Sequence, residues 1–84
     1  MALYLISYDL IRPEKDYEDL INGLERAGAV RVLFSQWLLR TNRSKKEVYD
    51  YVRSQGMDGN DKLLVVAVSE WIASANMQLN EKGF

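Results

Sequence analysis

The sequence contains neither cysteine nor histidine. The missing thiols exclude disulfide bridges and zinc-thiolate sites. The missing imidazoles exclude the Ser-His and Cys-His pairs of nucleophilic catalysis, together with the commonest neutral metal ligand. Any catalysis would therefore depend on carboxylates, lysine, hydroxyl groups or a hard metal ion held by oxygen atoms.

Long apolar runs and an excess of positive charge are also absent. No apolar run approaches the roughly 20 residues that span a bilayer, and no basic segment precedes the apolar residues after Met1, so we expect a cytoplasmic protein outside the membrane. The net charge is −1, so no global positive field attracts a nucleic-acid backbone. Binding of nucleic acid would require a local basic patch.

What is present is the composition of one small globular domain. Hydrophobic residues make up 48% of the chain and charged residues 27%. A chain of this length buries only roughly 60 to 65% of the surface that its unfolded form exposes. We therefore predict a single domain of marginal stability.

The first third of the chain predicts a strand followed by a helix. Residues 3–10, LYLISYDL, are aliphatic and aromatic throughout and predict a strand that ends at Asp9. Asp16 is placed to cap a helix, and Gly28 is placed to end it. The helical spacing predicts one apolar face, made of Tyr17, Leu20, Ile21, Leu24 and Ala27.

Residues 29–41, AVRVLFSQWLLRT, are rich in β-formers but too long for one typical strand. We interpret them as two strands that break near Phe34-Ser35-Gln36, where a bulge would upset simple alternation. Which of Phe34 and Trp37 faces the core is left open by the pattern.

Ser44 and Glu47 have the spacing of a capping box and predict the start of a second helix, which Gly56 ends. Its pattern places Asp50 and Arg53 on the solvent side. The inward side chains are predicted to be Val48, Tyr51, Val52 and Gln55.

The last third of the chain predicts one more strand. Residues 63–68, LLVVAV, predict a strand buried on both faces. A short additional edge strand is expected around Trp71-Ile72, within a domain that covers residues 1–78. Residues 79–84 are expected to form a flexible tail.

This order of elements, βαββαβ, predicts an α+β, ferredoxin-like fold with a four-stranded antiparallel sheet and two helices on one face. The other face would carry apolar groups from the first and last strands. Uncovered apolar area on so small a domain favours a partner, and a two-fold homodimer is the commonest solution.

Several short motifs carry a family resemblance over roughly residues 3–68. Tyr8-Asp9 at the end of a strand, Gly28 after a helix, and the segment 31–37, RVLFSQW, resemble the small CRISPR-associated proteins of the Cas-two type and their VapD-like and SinR-like relatives. The resemblance implies a homodimer and a metal-dependent nuclease acting on RNA or DNA. It also implies that Asp9 is the catalytic, Mg²⁺-binding aspartate and Ser35 a catalytic hydroxyl.

Asp9 has a structural alternative. Phosphodiester hydrolysis uses a hard cation held by carboxylates, and Asp9 with its symmetry mate could hold one. The carboxylate could instead end the strand by accepting hydrogen bonds from backbone amides of Ile11 and Arg12.

One basic cluster is a candidate nucleic-acid patch. Trp37 would add a stacking surface to it. Its cations are Arg31, Arg40, Arg43, Lys45 and Lys46. The alternative is a solvated loop and first helical turn. Two functions therefore follow: a homodimeric, nucleic-acid-directed protein with nuclease activity, or a non-catalytic dimeric module for protein interaction or regulation.

Overall fold

The computed structural model describes residues 1–11 and 17–70. The elements of this part follow the predicted order: β1 (Ala2–Asp9), α1 (Glu18–Arg26), β2 (Val30–Leu33), β3 (Gln36–Thr41), α2 (Lys45–Arg53) and β4 (Lys62–Ala67). The strands form one antiparallel sheet in the order β2-β3-β1-β4. The predicted ferredoxin-like α+β fold is confirmed. The predicted cap Asp16, the edge strand near Trp71-Ile72 and the tail from residue 79 lie outside the described residues.

Strand β1 is central and separates two faces of the sheet. Its even-numbered side chains pack under the helices, whereas Leu3, Leu5, Ser7 and Asp9 point to the opposite side, which we call the open face although Leu3 is buried there beside Leu38. The side chains at the centre of the core under the helices are almost completely shielded from solvent. Its most deeply buried side chains are Ile6, Leu20, Leu24, Val48 and Val52.

Each helix of the described part has nine residues, and neither is long and apolar enough to cross a membrane.

The break between β2 and β3 falls where it was predicted. Phe34 and Ser35 form the turn, and the pairing register shifts between Arg31 and Leu33, as expected for a bulge. The shift decides which aromatic side chain faces the core. Trp37 is only 3% exposed and donates from Nε1 to the Tyr8 hydroxyl over 3.0 Å, whereas Phe34 is 86% exposed.

Strand β4 differs from its prediction. It pairs only with β1 and lies at the edge of the described sheet. Its residues are at best half-buried, and Leu64 is 56% exposed on the open face. The prediction of a strand buried on both faces is therefore wrong, because an apolar run does not distinguish a central strand from one at the edge of the described sheet.

The ends of the helices show which sequence signals correctly predicted where a helix begins or ends. The capping box of α2 is formed, with Ser44 N donating to Glu47 Oε1 over 2.9 Å and Glu47 N donating to Ser44 Oγ over 3.2 Å. The bonds from the Ser44 amide and then its hydroxyl hold the pKa of Glu47 below its ordinary value. Helix α1 begins after Tyr17, which makes no side-chain cap bond. Ala27, expected on the apolar face, is exposed at the C-terminal end of α1.

Three glycines allow the cost of backbone strain to be distinguished from the cost of steric overlap by an added Cβ. Gly28 has φ +91° with open space around it, and Gly56 has φ +78° with the position of a Cβ 2.9 Å from Asp19 Cβ. We expect Gly28→Ala to lower the free energy of unfolding by about 1 kcal/mol through strain, and Gly56→Ala by about 2 to 3 kcal/mol through strain plus overlap. Urea denaturation measures both. Gly59 has neither feature, so Gly59→Ala is the control, and equal losses at all three glycines would contradict the assignment.

Candidate nucleic-acid interface

The structure separates the predicted site residues into two groups at opposite ends of the sheet. Because β1 and β3 are antiparallel, Ala2 pairs with Thr41, whereas Asp9 lies at the other end of β1 and pairs with Lys62. The seven steps from Ala2 to Asp9 give a separation of roughly 23 Å at ~3.3 Å per residue. We call these two regions the basic end, near Thr41, and the Asp9 end.

Two predicted catalytic residues, Asp9 and Ser35, meet at the Asp9 end. Ser35 lies beside the end of β1, because its carbonyl oxygen accepts from Tyr8 N over 3.1 Å. Asp9 is exposed on the open face, and its carboxylate makes no hydrogen bond or ion pair to residues 1–11 or 17–70. A shallow cavity of about 230 Å³ lies between this carboxylate and Lys62. The side chain is thus accessible to a ligand.

The structural alternative for Asp9 expected the Ile11 amide to donate to its carboxylate, and the structure does not show this hydrogen bond. The Ile11 amide donates instead to Asp61 Oδ1 over 2.9 Å. The other amide of the alternative, that of Arg12, belongs to a residue outside the described ranges. Asp9 is therefore not needed to bind the Ile11 amide.

A metal ion finds no complete ligand set within one copy of the described chain. Residues 1–11 and 17–70 contain no group of three or more Asp, Glu, His or Cys side chains that could hold a metal ion. Mg²⁺ demands near-octahedral coordination by oxygen atoms. Protein sites usually combine one or two carboxylates with water molecules and substrate phosphates. Asp9 alone does not fit such a site.

Arg31 and Trp37 also belong to the Asp9 end and do not join the other cations. The Arg31 guanidinium lies 5.2 Å from the ring centroids of both Phe34 and Trp37, and its Nε donates to the Phe34 carbonyl over 3.0 Å. Trp37 is buried in the core and offers no stacking surface to a base. Phe34, which the sequence pattern left undecided, is the exposed aromatic residue of this turn.

The remaining predicted cations do come together at the basic end. Arg40 is exposed on the open face, Arg43 lies in the loop after β3, and Lys45 and Lys46 begin α2. Lys46 Nζ lies 2.8 Å from Asp50 Oδ2, and this contact raises the pKa of Lys46. The charge of Lys46 is thus partly neutralised within the chain.

The structure adds Arg26 to this end, a residue outside the predicted basic cluster. Arg26 and Arg43 line one cavity of about 290 Å³ between the end of α1, the end of β3 and α2. Thr41, Tyr51, Leu39 and Val48 contribute to its walls, and none of the described residues that line it is acidic. No sequence signal predicts this pair, because α1 and the β3–α2 loop meet only in the folded chain.

Asp61 is a second residue that the pattern missed, and its role is structural. It is the buried charged residue of the described core, 5% exposed. Arg53, predicted to face solvent, is half-buried beside it and donates to the backbone carbonyls of Asp58, Gly59 and Asp61. In the sequence, only the polar turn at residues 58–61 pointed to a structural role for Asp61.

No protein-family model matches this sequence, and no solved structure matches this chain.

Proposed function

We propose that this chain is a nucleic-acid-binding protein that acts as a homodimer and contacts the phosphate backbone through its basic end. The observation that carries the proposal is the convergence of cations from separate elements on one end of a domain whose net charge is −1. Release of counterions from a phosphate backbone favours its binding to such a local cluster, even without a global positive field. The converging residues are Arg26, Arg40, Arg43 and Lys45.

Two carboxylates near these cations already have hydrogen-bond partners within the chain. Asp50 is bound to Lys46, and Glu47 is bound by the Ser44 backbone amide in the capping box. The Arg43 guanidinium lies 5.9 Å from the Tyr51 ring centroid and has no hydrogen bond or ion pair within the described residues. A bound phosphate would supply hydrogen-bond acceptors and negative charge to this guanidinium.

The homodimer is supported by the open face. Leu5, Leu64 and Val66 lie there with partly or largely exposed side chains, next to the edge formed by β4. Exposed apolar groups of this kind favour association, and a two-fold pair covers the same patch on both copies. Sedimentation of the purified chain as a monomer at micromolar concentration would contradict this part of the proposal.

Metal-dependent cleavage, which the family resemblance implies, needs metal ligands beyond those that residues 1–11 and 17–70 of one copy bring together. A dimer would bring a second Asp9, and the accessible, unbonded carboxylate is compatible with that arrangement. Cleavage of RNA or DNA that requires Mg²⁺ and is lost in Asp9→Asn would establish it. Equal cleavage by the variant would remove Asp9 from the chemistry, whereas no cleavage by the parent protein would leave a binding protein without catalysis.

Neutralising two cations of the basic end is expected to weaken nucleic-acid binding. The double variant Arg40→Gln/Lys45→Gln should lower the affinity for a labelled single strand and reduce the slope of log K against log salt by about 0.7 per lost contact. Fluorescence anisotropy across a salt series measures both quantities. RNA and DNA of the same sequence are compared in parallel.

The matched control removes the same charge from the Asp9 end. Arg31→Gln/Lys62→Gln lowers the net charge by two as well, but both side chains are exposed at the opposite end of the sheet. It should change affinity much less than the first variant. An equal loss in both variants would show that total charge, rather than the basic end, determines binding.

The non-catalytic protein-interaction module is favoured by the same exposed apolar side chains, with Phe34 added at the turn. If the chain sediments as a dimer but binds neither RNA nor DNA at low salt, this second function stands and the first is excluded.

A further inference from the structure

The cavity between α1, β3 and α2 is lined by groups that contact with a nucleic-acid backbone alone does not require. Arg26 approaches from the last turn of α1 and Arg43 from the loop before α2, so two guanidinium groups of different elements line one concavity. A continuous nucleic-acid backbone follows an exposed groove. A cavity lined by two arginines is suited to a group that ends there.

Both guanidinium groups are held in position without being neutralised. Arg26 donates from Nη2 to Gln55 Oε1 over 3.0 Å, which leaves its other N–H groups available. Arg43 lies over the Tyr51 ring, and the Tyr51 hydroxyl is fixed by donating to the Gly23 carbonyl over 2.7 Å. Arginines ordered in this way lose less freedom on binding, and their planar forks match phosphate oxygens.

Thr41 adds a hydroxyl group to the same wall. Its Oγ1 accepts from Arg43 N over 3.3 Å, so the hydroxyl proton remains available for donation into the cavity. The nearby carboxylate of Glu47 is bound by the Ser44 amide, and the charge of Arg43 contributes only the last of the effects that lower its pKa. The polar groups of the cavity thus present donors and positive charge.

We propose that this cavity binds a phosphomonoester, either the terminal phosphate of a nucleic-acid strand or that of a free nucleotide. The inference rests on the proposed function only for the first of these sources. A phosphomonoester carries about −1.5 to −2 charge near neutral pH, which two guanidinium groups match better than they match the single charge of a backbone diester. A volume of about 290 Å³ suits one small group or a nucleotide, at the low end of ligand cavities.

The test compares ligands that differ only in the phosphate. Anisotropy measures the affinity for single strands of one sequence with a 5′-phosphate, a 3′-phosphate or hydroxyl groups at both ends. Amide shifts in NMR titrations compare adenosine 5′-monophosphate and inorganic phosphate with adenosine. We expect at least one phosphorylated strand to bind about tenfold or more tightly than the hydroxyl strand, and the nucleotide to shift amides of Thr41 and Arg43 where adenosine does not.

Two variants assign the preference to the cavity. Arg26→Gln/Arg43→Gln should abolish the preference for the phosphorylated ligand. Arg43→Lys retains the charge but loses the bidentate fork, so it should reduce the preference while general binding persists. Arg40→Gln/Lys45→Gln removes two charges outside the cavity and should weaken phosphorylated and hydroxyl strands by the same factor.

The outcomes separate this proposal from the proposed function. Equal affinity for phosphorylated and hydroxyl strands, with no nucleotide-specific shifts, would overturn the phosphomonoester site while leaving nucleic-acid binding intact. Binding of the nucleotide at the cavity without binding of any strand would overturn the proposed function and support the site for free nucleotides. A preference that survives Arg26→Gln/Arg43→Gln in a folded protein would place it elsewhere and overturn the assignment.

Discussion

Asp61→Ala is expected to lower the free energy of unfolding by about 3 to 5 kcal/mol, because several donors lose a buried acceptor together. Asp61 Oδ1 accepts from Ile11 N over 2.9 Å and from the Tyr17 hydroxyl over 3.1 Å, and Oδ2 accepts from Asp58 N over 2.7 Å. The carboxylate therefore ties the segment after β1 to the start of α1 and to the loop before β4.

The size of this loss matters because the whole domain is small. At about 0.05 to 0.15 kcal/mol per residue, a domain of this length has a total stability of roughly 4 to 13 kcal/mol. Urea denaturation followed by circular dichroism measures the change. A loss below about 1 kcal/mol in Asp61→Ala would mean that water replaces the carboxylate at all three donors.

Two milder variants calibrate the same contacts. Asp61→Asn retains one side-chain oxygen and should be less destabilising than Asp61→Ala. Tyr17→Phe removes a single donor and should lower the free energy of unfolding by about 1 kcal/mol. If Tyr17→Phe were as damaging as Asp61→Ala, the ring of Tyr17, rather than the carboxylate, would account for the effect.

Trp37→Ala is expected to lower the free energy of unfolding by about 3 to 5 kcal/mol, in the range of other large buried aromatic residues. The ring is 3% exposed, packs under the helices, and donates to the Tyr8 hydroxyl. Its removal leaves a cavity and takes away a buried donor. The measurement is again urea denaturation.

Phe34→Ala is the natural comparison, because this ring is 86% exposed only three residues away. It should change the free energy of unfolding by less than about 0.5 kcal/mol, apart from its contact with Arg31. Trp37→Phe should fall between the two, since it retains a ring but loses the indole donor. Equal losses in Trp37→Ala and Phe34→Ala would contradict the observed register of the hairpin.

Local chemistry was enough to predict much of the fold. The capping box of Ser44 and Glu47 depends on residues three apart, and the apolar face of α2 repeats with the helical period, so both are visible in the sequence. The polar break at Ser35 marked the hairpin for the same reason. Such features need no knowledge of what lies across the domain.

The candidate site depended on distant residues and was predicted only in part. Arg40, Arg43, Lys45 and Lys46 are near one another in sequence, so their common location was predictable. Arg26 was not, because it lines the same cavity as Arg43 only through the packing of α1 against α2. The exposure of Leu64 was hidden for a similar reason, since edge position depends on the order of strands in the sheet.

The ties made by Asp61 also have a kinetic consequence. They join residues 50 and 44 positions apart, so a long stretch of chain must close before either hydrogen bond can form. The hairpin and the capped helix α2 need only local closure and can form earlier. We therefore expect the loss of Asp61 to appear mainly as faster unfolding, with little change in the folding rate. In that case Asp61 sets how long the native domain persists once it has formed.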